Sequence, residues 1–193
     1  MRARDNPFAA DRIERIRYRF AGTSLDELLT DLEEMNYRAA IMGPEGSGKT
    51  TLLEDLRQAL EGKGLRTKSL FVNDESPLTE PQCRRFLSEL VPQEVVLLDG
   101  ADAIRRSSWF LFRRHTITRA AGLIITSHRP GLLTTLVECS TTPALLREIV
   151  DDLIPQAHAI SPALLDDLHN RHKGNIRTCL RELYDLYAFL PQQ

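Results

Sequence analysis

Hydrophobic positions along this chain alternate between two patterns: short, nearly continuous apolar runs, and longer stretches with apolar residues at every third or fourth position. The first pattern is typical of strands buried on both faces of a parallel sheet, and the second predicts amphipathic helices. The predicted strands are 37–42, 67–72, 95–99, 122–127 and 134–139. The predicted helices that accompany them are 24–35, 49–61, 81–90 and 103–121. This alternation predicts an α/β fold in which helices cover both faces of a parallel five-stranded sheet.

The pattern changes after Pro143, where only helical spacing continues. The predicted helices of this region are 144–154, 162–171 and 176–189. We therefore expect three divisions of the chain: an N-terminal arm over 1–23, an α/β core over 24–142 and a small helical lid over 143–193. The fold class that follows is a three-layer sandwich with a C-terminal lid.

Composition and charge exclude several classes of protein. Hydrophobic residues make up 42% of the chain and charged residues 27%, which is ordinary for a globular protein and excludes disordered or fibrous chains. The formal net charge of −2 gives no overall attraction to nucleic acid or to an anionic membrane. Binding to nucleic acid is thus possible but has no support from the net charge.

The first twenty residues are rich in arginine, yet acidic residues at positions 5, 11 and 14 partly cancel that charge. We therefore expect a solvated arm here rather than a basic binding surface.

The three cysteines are far apart and form no CxxC pair, which is typical of reduced, structural thiols in a cytosolic protein. The N-terminus has no apolar run like that of a signal peptide. No apolar stretch approaches the roughly 20 residues that a membrane-spanning helix needs. We expect a cytoplasmic protein without a membrane span.

The segment between predicted strand 37–42 and predicted helix 49–61 matches G-x-x-x-x-G-K-[ST], the phosphate-binding P-loop pattern. Its glycines let backbone N–H groups converge on phosphate oxygens, and the helix that follows adds the positive end of its dipole. Lys49 would contact the β- and γ-phosphates, and the Thr50 hydroxyl would bind Mg²⁺. The segment predicts a P-loop NTPase that binds ATP or ADP with Mg²⁺. The predicted nucleotide-binding residues are Gly43, Pro44, Glu45, Gly46, Ser47, Gly48, Lys49, Thr50 and Thr51.

Asp99 ends a buried strand at the sheet edge where open α/β folds bind their ligands. Asp-Gly is also turn chemistry, so Asp99 could serve only to cap a turn. Because the chain also has a P-loop, we favour the interpretation that Asp99 holds Mg²⁺ through the water shell of the ion, while the Thr50 hydroxyl binds the same ion.

Gly100 and Asp102 bear on whether bound ATP is hydrolysed. Many ATPases carry a glutamate directly after the strand-end aspartate, where it polarises the attacking water. Gly100 cannot do this. Asp102 is a candidate substitute, although it could instead cap the helix predicted to follow.

Two further sites are candidate sensors of the γ-phosphate. Thr126 and Ser127 end a buried strand in hydroxyls, which either contact the nucleotide, as we assign to Ser127, or cap the strand. Arg177 lies in the first turn of a predicted helix, where a cation costs about 0.3–1 kcal/mol, so it could face a phosphate. The candidate catalytic residues are Lys49, Asp99, Asp102 and Arg177.

These motifs, in the order 43–50, 99–102, 126–127 and 174–177, resemble those of the AAA+ ATPases, especially the compact origin-recognition and secretion-type branch. The second acidic motif of that branch often reads D-E-x-D, where this chain has D-G-A-D. The hydroxyls at 126–127 are similar to sensor 1, and Gly-Asn-Ile-Arg is similar to sensor 2. The resemblance covers about 6–189 and implies strand order 5-1-4-3-2, an ATP site between core and lid, and frequent ring or filament assembly.

The resemblance and the missing glutamate together predict a slow ATPase or a nucleotide-dependent switch, acting on an unidentified protein partner or on further copies of itself. If the local geometry matches the family's, Gly100→Glu should raise turnover. A kinase that uses the same loop is the alternative, with a phosphoryl clamp from Arg171, Arg177 and Arg181. A scaffold that binds ATP without hydrolysing it is the third possibility.

Overall fold

The computed structural model describes residues 6–154 and 160–189. In chain order the helices are α1 (Ala10–Ile13), α2 (Leu25–Glu34), α3 (Lys49–Gly62), α4 (Glu80–Ser88), α5 (Arg106–Arg119), α6 (Pro143–Leu153), α7 (Pro162–Arg171) and α8 (Ile176–Phe189). The strands are β1 (Arg38–Met42), β2 (Arg66–Phe71), β3 (Glu94–Asp99), β4 (Gly122–Ser127) and β5 (Thr135–Glu138). Two compact units share these elements. We call residues 20–43 and 49–139 the core unit, and residues 6–19, 44–48, 140–154 and 160–189 the helical unit.

The sheet of the core unit is parallel throughout, with strand order β2-β3-β4-β1-β5. This is the order that the resemblance implied. Met42 pairs with Ser127, and Leu98 pairs with Ile125, so that β1, β3 and β4 end at one edge of the sheet. The polar residues that follow these strands are therefore neighbours.

Apolar side chains fill both faces of this sheet. Alternate residues of β1, β3 and β4 join one buried cluster with Phe86 of α4 and with Trp109 and Phe112 of α5. The residues between them face the other side, against which α3 packs Leu52 and Leu56. The predicted α/β fold, with helices on both faces of a five-stranded parallel sheet, is confirmed.

Helix starts follow the local sequence with one exception. The Ser24 hydroxyl accepts from the Glu27 N–H, and the Glu27 carboxylate accepts from the Ser24 N–H, which together form a capping box at the start of α2. The helix predicted over 103–121 is instead a short 3₁₀ turn at Ala101–Ala103, followed by α5 from Arg106. The chain is extended at Ile104, whose side chain enters the buried cluster, so burial of this residue interrupts the helix.

The helical unit has a buried cluster of its own, built from α6, α7, α8 and the N-terminal segment. Phe8 is only 2% exposed, and its ring meets that of Tyr187 edge to face, with centroids 5.9 Å apart. The Asn6 side-chain amide donates to the carbonyl oxygen of Tyr184 at 2.9 Å. The expectation of a solvated arm is therefore wrong for residues 6–9, which are buried, whereas Arg12, Arg15 and Arg17 are exposed. Residues 1–5 of the predicted arm lie outside the described residues. The division boundaries at 24 and 143 stay predictions.

Among the described residues, no helix is both long and apolar enough to cross a membrane.

Phe8→Ala should destabilise the protein, because loss of a buried phenylalanine side chain typically costs about 3–5 kcal/mol. Chemical denaturation followed by circular dichroism measures the change. Phe110→Ala is the matched control: the ring of Phe110 is exposed, so this substitution should change stability by no more than about 0.5 kcal/mol. Equal effects of the two substitutions would contradict the packing of Phe8.

Candidate nucleotide-binding site

The P-loop connects β1 to α3. Its first residue, Gly43, donates its N–H to the carbonyl oxygen of Ser127 at 3.3 Å. Lys49 opens α3 and is only 8% exposed, and its Nζ donates to the carbonyl oxygen of Gly43 at 2.8 Å. A buried ammonium group needs such partners, because burying an unpaired charge is costly. The charge that would bind phosphate thus contacts the loop's own backbone.

The tip of the loop, residues 44–48, belongs to the helical unit. Ser47 is buried, and its hydroxyl donates to the carbonyl oxygen of Pro44 at 2.8 Å, which closes the turn. Gly46 and Gly48 both have positive φ, +71° and +90°. These conformations favour glycine whatever the loop binds.

Two side chains lie close to these glycines: a Cβ would collide with the one at Gly46 and would make a tight contact with the one at Gly48. A Cβ at Gly46 would lie 2.0 Å from Asn175 Oδ1, and one at Gly48 would lie 3.1 Å from Cδ2 of Tyr18. Asn175 belongs to the segment that resembles sensor 2, and its Oδ1 accepts from the Thr178 N–H in the first turn of α8. Sequence reasoning missed Tyr18, since nothing in an arginine-rich segment indicates a contact with the loop.

Asp99, at the end of β3, accepts hydrogen bonds from two hydroxyl groups. Thr50 Oγ1 donates to Asp99 Oδ2 at 2.9 Å, and Thr126 Oγ1 donates to Asp99 Oδ1 at 2.5 Å. Mg²⁺ prefers oxygen ligands and usually combines one or two carboxylates with phosphate oxygens. The Thr50–Asp99 pair fits that donor set. The described residues include no group of three or more His, Cys, Asp or Glu side chains able to hold a metal ion.

Gly100 lies in the left-handed region, with φ +86°. Its N–H donates to Thr126 Oγ1 at 2.8 Å. A Cβ at this position would lie 1.9 Å from the carbonyl oxygen of Val72, which is backbone and cannot swing away. A glutamate does not fit without moving the chain, so the geometry on which the prediction for Gly100→Glu depends is not present.

Asp102 is bound to the end of β4. Its Oδ1 accepts from Ser127 Oγ at 2.8 Å, and its Oδ2 accepts from the His128 N–H and lies 3.1 Å from His128 Nδ1. The interpretation of Asp102 as a helix cap is wrong, because Arg105 occupies the N-cap position of α5. Its carboxylate already has three protein partners, which disfavours a role as general base.

The hydroxyls of β4 have different partners. Ser127, the predicted nucleotide contact, is buried, and its Oγ contacts Asp102 and the backbone of Arg129. Thr126, rather than Ser127, is the hydroxyl bonded to Asp99. The sequence singled out this pair of residues but could not show which of them faces the acid.

The lid arginines also differ. Arg177 is exposed and makes no hydrogen bond or ion pair within the described residues. Arg171 pairs with Asp167 and with Glu182, and the hydrogen bond that it donates to Asp167 is the main cause of the raised pKa of this guanidinium. The Arg171 side chain is therefore already paired with carboxylates of its own chain.

No protein-family model and no curated protein matches the sequence. Solved structures do. RuvB of Thermotoga maritima, described as a Holliday junction branch migration motor, is 18% identical over 81% of this chain and 58% of its own, with a TM-score of 0.56. A single-residue mutant of the same RuvB reaches a TM-score of 0.60 at 18% identity, over 88% of this chain and 64% of its own. NtrX of Brucella abortus is 16% identical over 84% of this chain and 49% of its own, with a TM-score of 0.52.

RuvB and NtrX are AAA+ P-loop ATPases. This chain has the fold of these proteins. At identities below 20% the likeness shows the fold alone. The chain spans about three fifths of the length of the RuvB chains that it matches. The AAA+ fold that the sequence motifs implied is confirmed, whereas the particular branch stays a prediction.

Gly100→Ala should lower the free energy of unfolding by roughly 2–4 kcal/mol, since it combines backbone strain with a collision. Gly64→Ala is the matched control: Gly64 has φ +84°, and no described atom would lie within 4 Å of its Cβ. That substitution should lower the free energy of unfolding only by the cost of a left-handed backbone conformation, about 1–2 kcal/mol. Denaturant titration of both variants measures the difference, and equal losses would show that the contact with Val72 is unimportant.

Proposed function

We propose that this protein binds Mg·ATP and ADP at its P-loop and acts as a slow ATPase or nucleotide-dependent switch on a partner. The observation that carries the proposal is the Thr50–Asp99 hydrogen bond of 2.9 Å beside a P-loop motif that runs from a strand into a helix. In a Gly-rich turn that binds no ligand, nothing would require a hydroxyl and a carboxylate to lie in contact at the end of the turn.

Phosphate binding follows from the local chemistry. The N-terminus of α3 carries partial positive charge, and the loop offers backbone N–H groups. Lys49 would exchange its bond to the Gly43 carbonyl for phosphate oxygens, which carry full negative charge and compensate a buried ammonium better. Thr50 and Asp99 would hold Mg²⁺, which neutralises phosphate charge when bound.

Slow hydrolysis follows from the surroundings of Gly100 and Asp102. Help from a general base is worth about 10²- to 10⁴-fold in rate. Position 100 has no room for a side chain, and Asp102 is engaged by Ser127 and His128. A residue of a protein partner, or of another copy of this chain, would have to orient the water. ATP would then persist long enough to serve as a signal.

The lid is suited to report the nucleotide state. Within the helical unit, Asn175 and Tyr18 contact the glycines at the loop tip. A phosphate that repositions the tip would favour one arrangement of these side chains over another, which is the differential interaction that a switch requires. The kinase alternative has less support, because Arg171 is already paired with two carboxylates.

Lys49→Met should weaken ATP binding by at least about 30-fold, since loss of one partner of a buried charge pair costs about 2 kcal/mol or more. Methionine retains the length of the side chain, which matters because Lys49 is buried. Isothermal calorimetry measures the affinity. Lys63→Met is the matched control, because Lys63 only forms an exposed ion pair with Glu33. Unchanged affinity in a folded Lys49→Met variant would refute the proposed function.

Arg177→Ala should weaken ATP binding more than ADP binding if the guanidinium reaches the γ-phosphate. Arg181→Ala, one turn further along α8, is the matched control and should leave both affinities unchanged. Equal losses of ATP and ADP affinity, or none, would assign Arg177 to the solvated surface. A comparable loss on removal of Arg181 would instead favour the arginine clamp of a kinase.

A further inference from the structure

Helix α5 has an unusual charge distribution. Its sequence contains four arginines and a histidine but no aspartate or glutamate, in a chain whose net charge is −2. Arg106 lies in the first turn, where a cation opposes the helix dipole. Only Arg119, in the last turn, complements the dipole. The other charges do not stabilise the helix in this way, which suggests that they serve binding.

The charged residues of α5 share one face with an exposed aromatic ring. Trp109, Phe112 and Thr116 are buried and define the inner side of the helix. Arg106, Phe110, Arg113 and Arg114 follow the spacing i, i+4, i+7 and i+8, so they lie along one outer face. Phe110 is 62% exposed. We call these four residues the arginine face.

The arginines of this face are uncompensated. Within the described residues, the guanidinium groups of Arg106, Arg113 and Arg114 form no ion pair or hydrogen bond. By contrast, Arg84 and Arg85 on neighbouring α4 pair with glutamates of their own segment, Glu80 and Glu89. The arginine face thus remains available to an anion from outside the chain.

We propose that the arginine face binds single-stranded nucleic acid, with guanidinium groups on phosphates and the Phe110 ring stacked on a base. The guanidinium group matches phosphate geometry through paired N–H donors. Base stacking on an aromatic ring explains why a phenylalanine is exposed among cations, and a duplex offers no free base faces along its length. Exposed Ser107 adds a hydroxyl donor of the kind that contacts phosphates.

An acidic protein is the competing partner, and the surface suits it less well. Stable protein interfaces bury about 800 Å² on each partner and have an apolar centre. The exposed large apolar residues of α5 are only Phe110 and Leu111. The proposal does not depend on nucleotide binding, since none of these residues belongs to the predicted ATP site.

Fluorescence anisotropy with a labelled oligothymidylate of about 20 nucleotides tests the proposal on the full chain, over a series of salt concentrations. We expect binding whose log affinity falls linearly with log salt, by about 0.7 for each phosphate contacted. The double variant Arg113→Gln/Arg114→Gln should flatten that slope by about 1.4 and weaken binding at least about tenfold at low salt.

Arg12→Gln/Arg15→Gln is the matched control. It removes the same net charge from two exposed arginines of the helical unit, and affinity should hardly change. Phe110→Ala should weaken binding by on the order of tenfold and leave the salt slope unchanged, because stacking involves no counterion release. Leu111→Ala, which removes a neighbouring exposed side chain, should have little effect.

Several outcomes would overturn the proposal. One is the absence of oligonucleotide binding at about 50 mM salt. Another is an equal loss of affinity in the two double variants, which would indicate that binding depends on net charge alone. Equal affinity for a duplex, with no effect of Phe110→Ala, would refute the stacking contact. Displacement of the oligonucleotide by polyglutamate at equal charge concentration would favour an acidic protein partner.

Discussion

The turn that follows β3 is the constraint on which this candidate site depends. At Gly100 the backbone passes so close to the Val72 carbonyl that no side chain fits, and it adopts the left-handed conformation that glycine tolerates. The same turn directs the Gly100 N–H at Thr126, whose hydroxyl donates to Asp99. Asp99 in turn accepts from Thr50 at the start of α3. One tight turn therefore connects β3, β4 and the helix that follows the P-loop.

This arrangement separates the two acids of the D-G-A-D segment. Asp99 lies between two hydroxyls beside the P-loop, where a metal-bound phosphate chain would be placed. Asp102 instead stabilises the end of β4 by accepting hydrogen bonds from Ser127 and His128. The absence of a glutamate at position 100 is therefore a requirement of the backbone, and a single substitution would not restore it. Under the proposed function, such a site would bind ATP while lacking a carboxylate placed to activate water.

Sequence patterns predicted the fold because it depends on local regularities: apolar runs for strands, the Ser24 capping box, and a motif whose context is strand, loop and helix. The strand order followed only from the resemblance to AAA+ proteins. The features that the sequence did not predict all join residues far apart in the chain. Only the position of the Val72 carbonyl oxygen shows that residue 100 has no room for a side chain. Phe8 is buried by helices that begin more than a hundred residues later. The break at Ile104 likewise arises from tertiary burial that overrides helical spacing.

The central claim is that this protein holds ATP without hydrolysing it efficiently, because the chain at Gly100 excludes a catalytic side chain. Single-turnover hydrolysis of Mg·ATP, at protein concentrations where calorimetry shows the nucleotide to be bound, tests it most directly. The account predicts a rate well below the roughly 10 s⁻¹ typical of enzymes, and no further loss of rate when Asp102 is replaced by asparagine. Rapid hydrolysis by the chain alone, abolished by Asp102→Asn while ATP still binds, would contradict it.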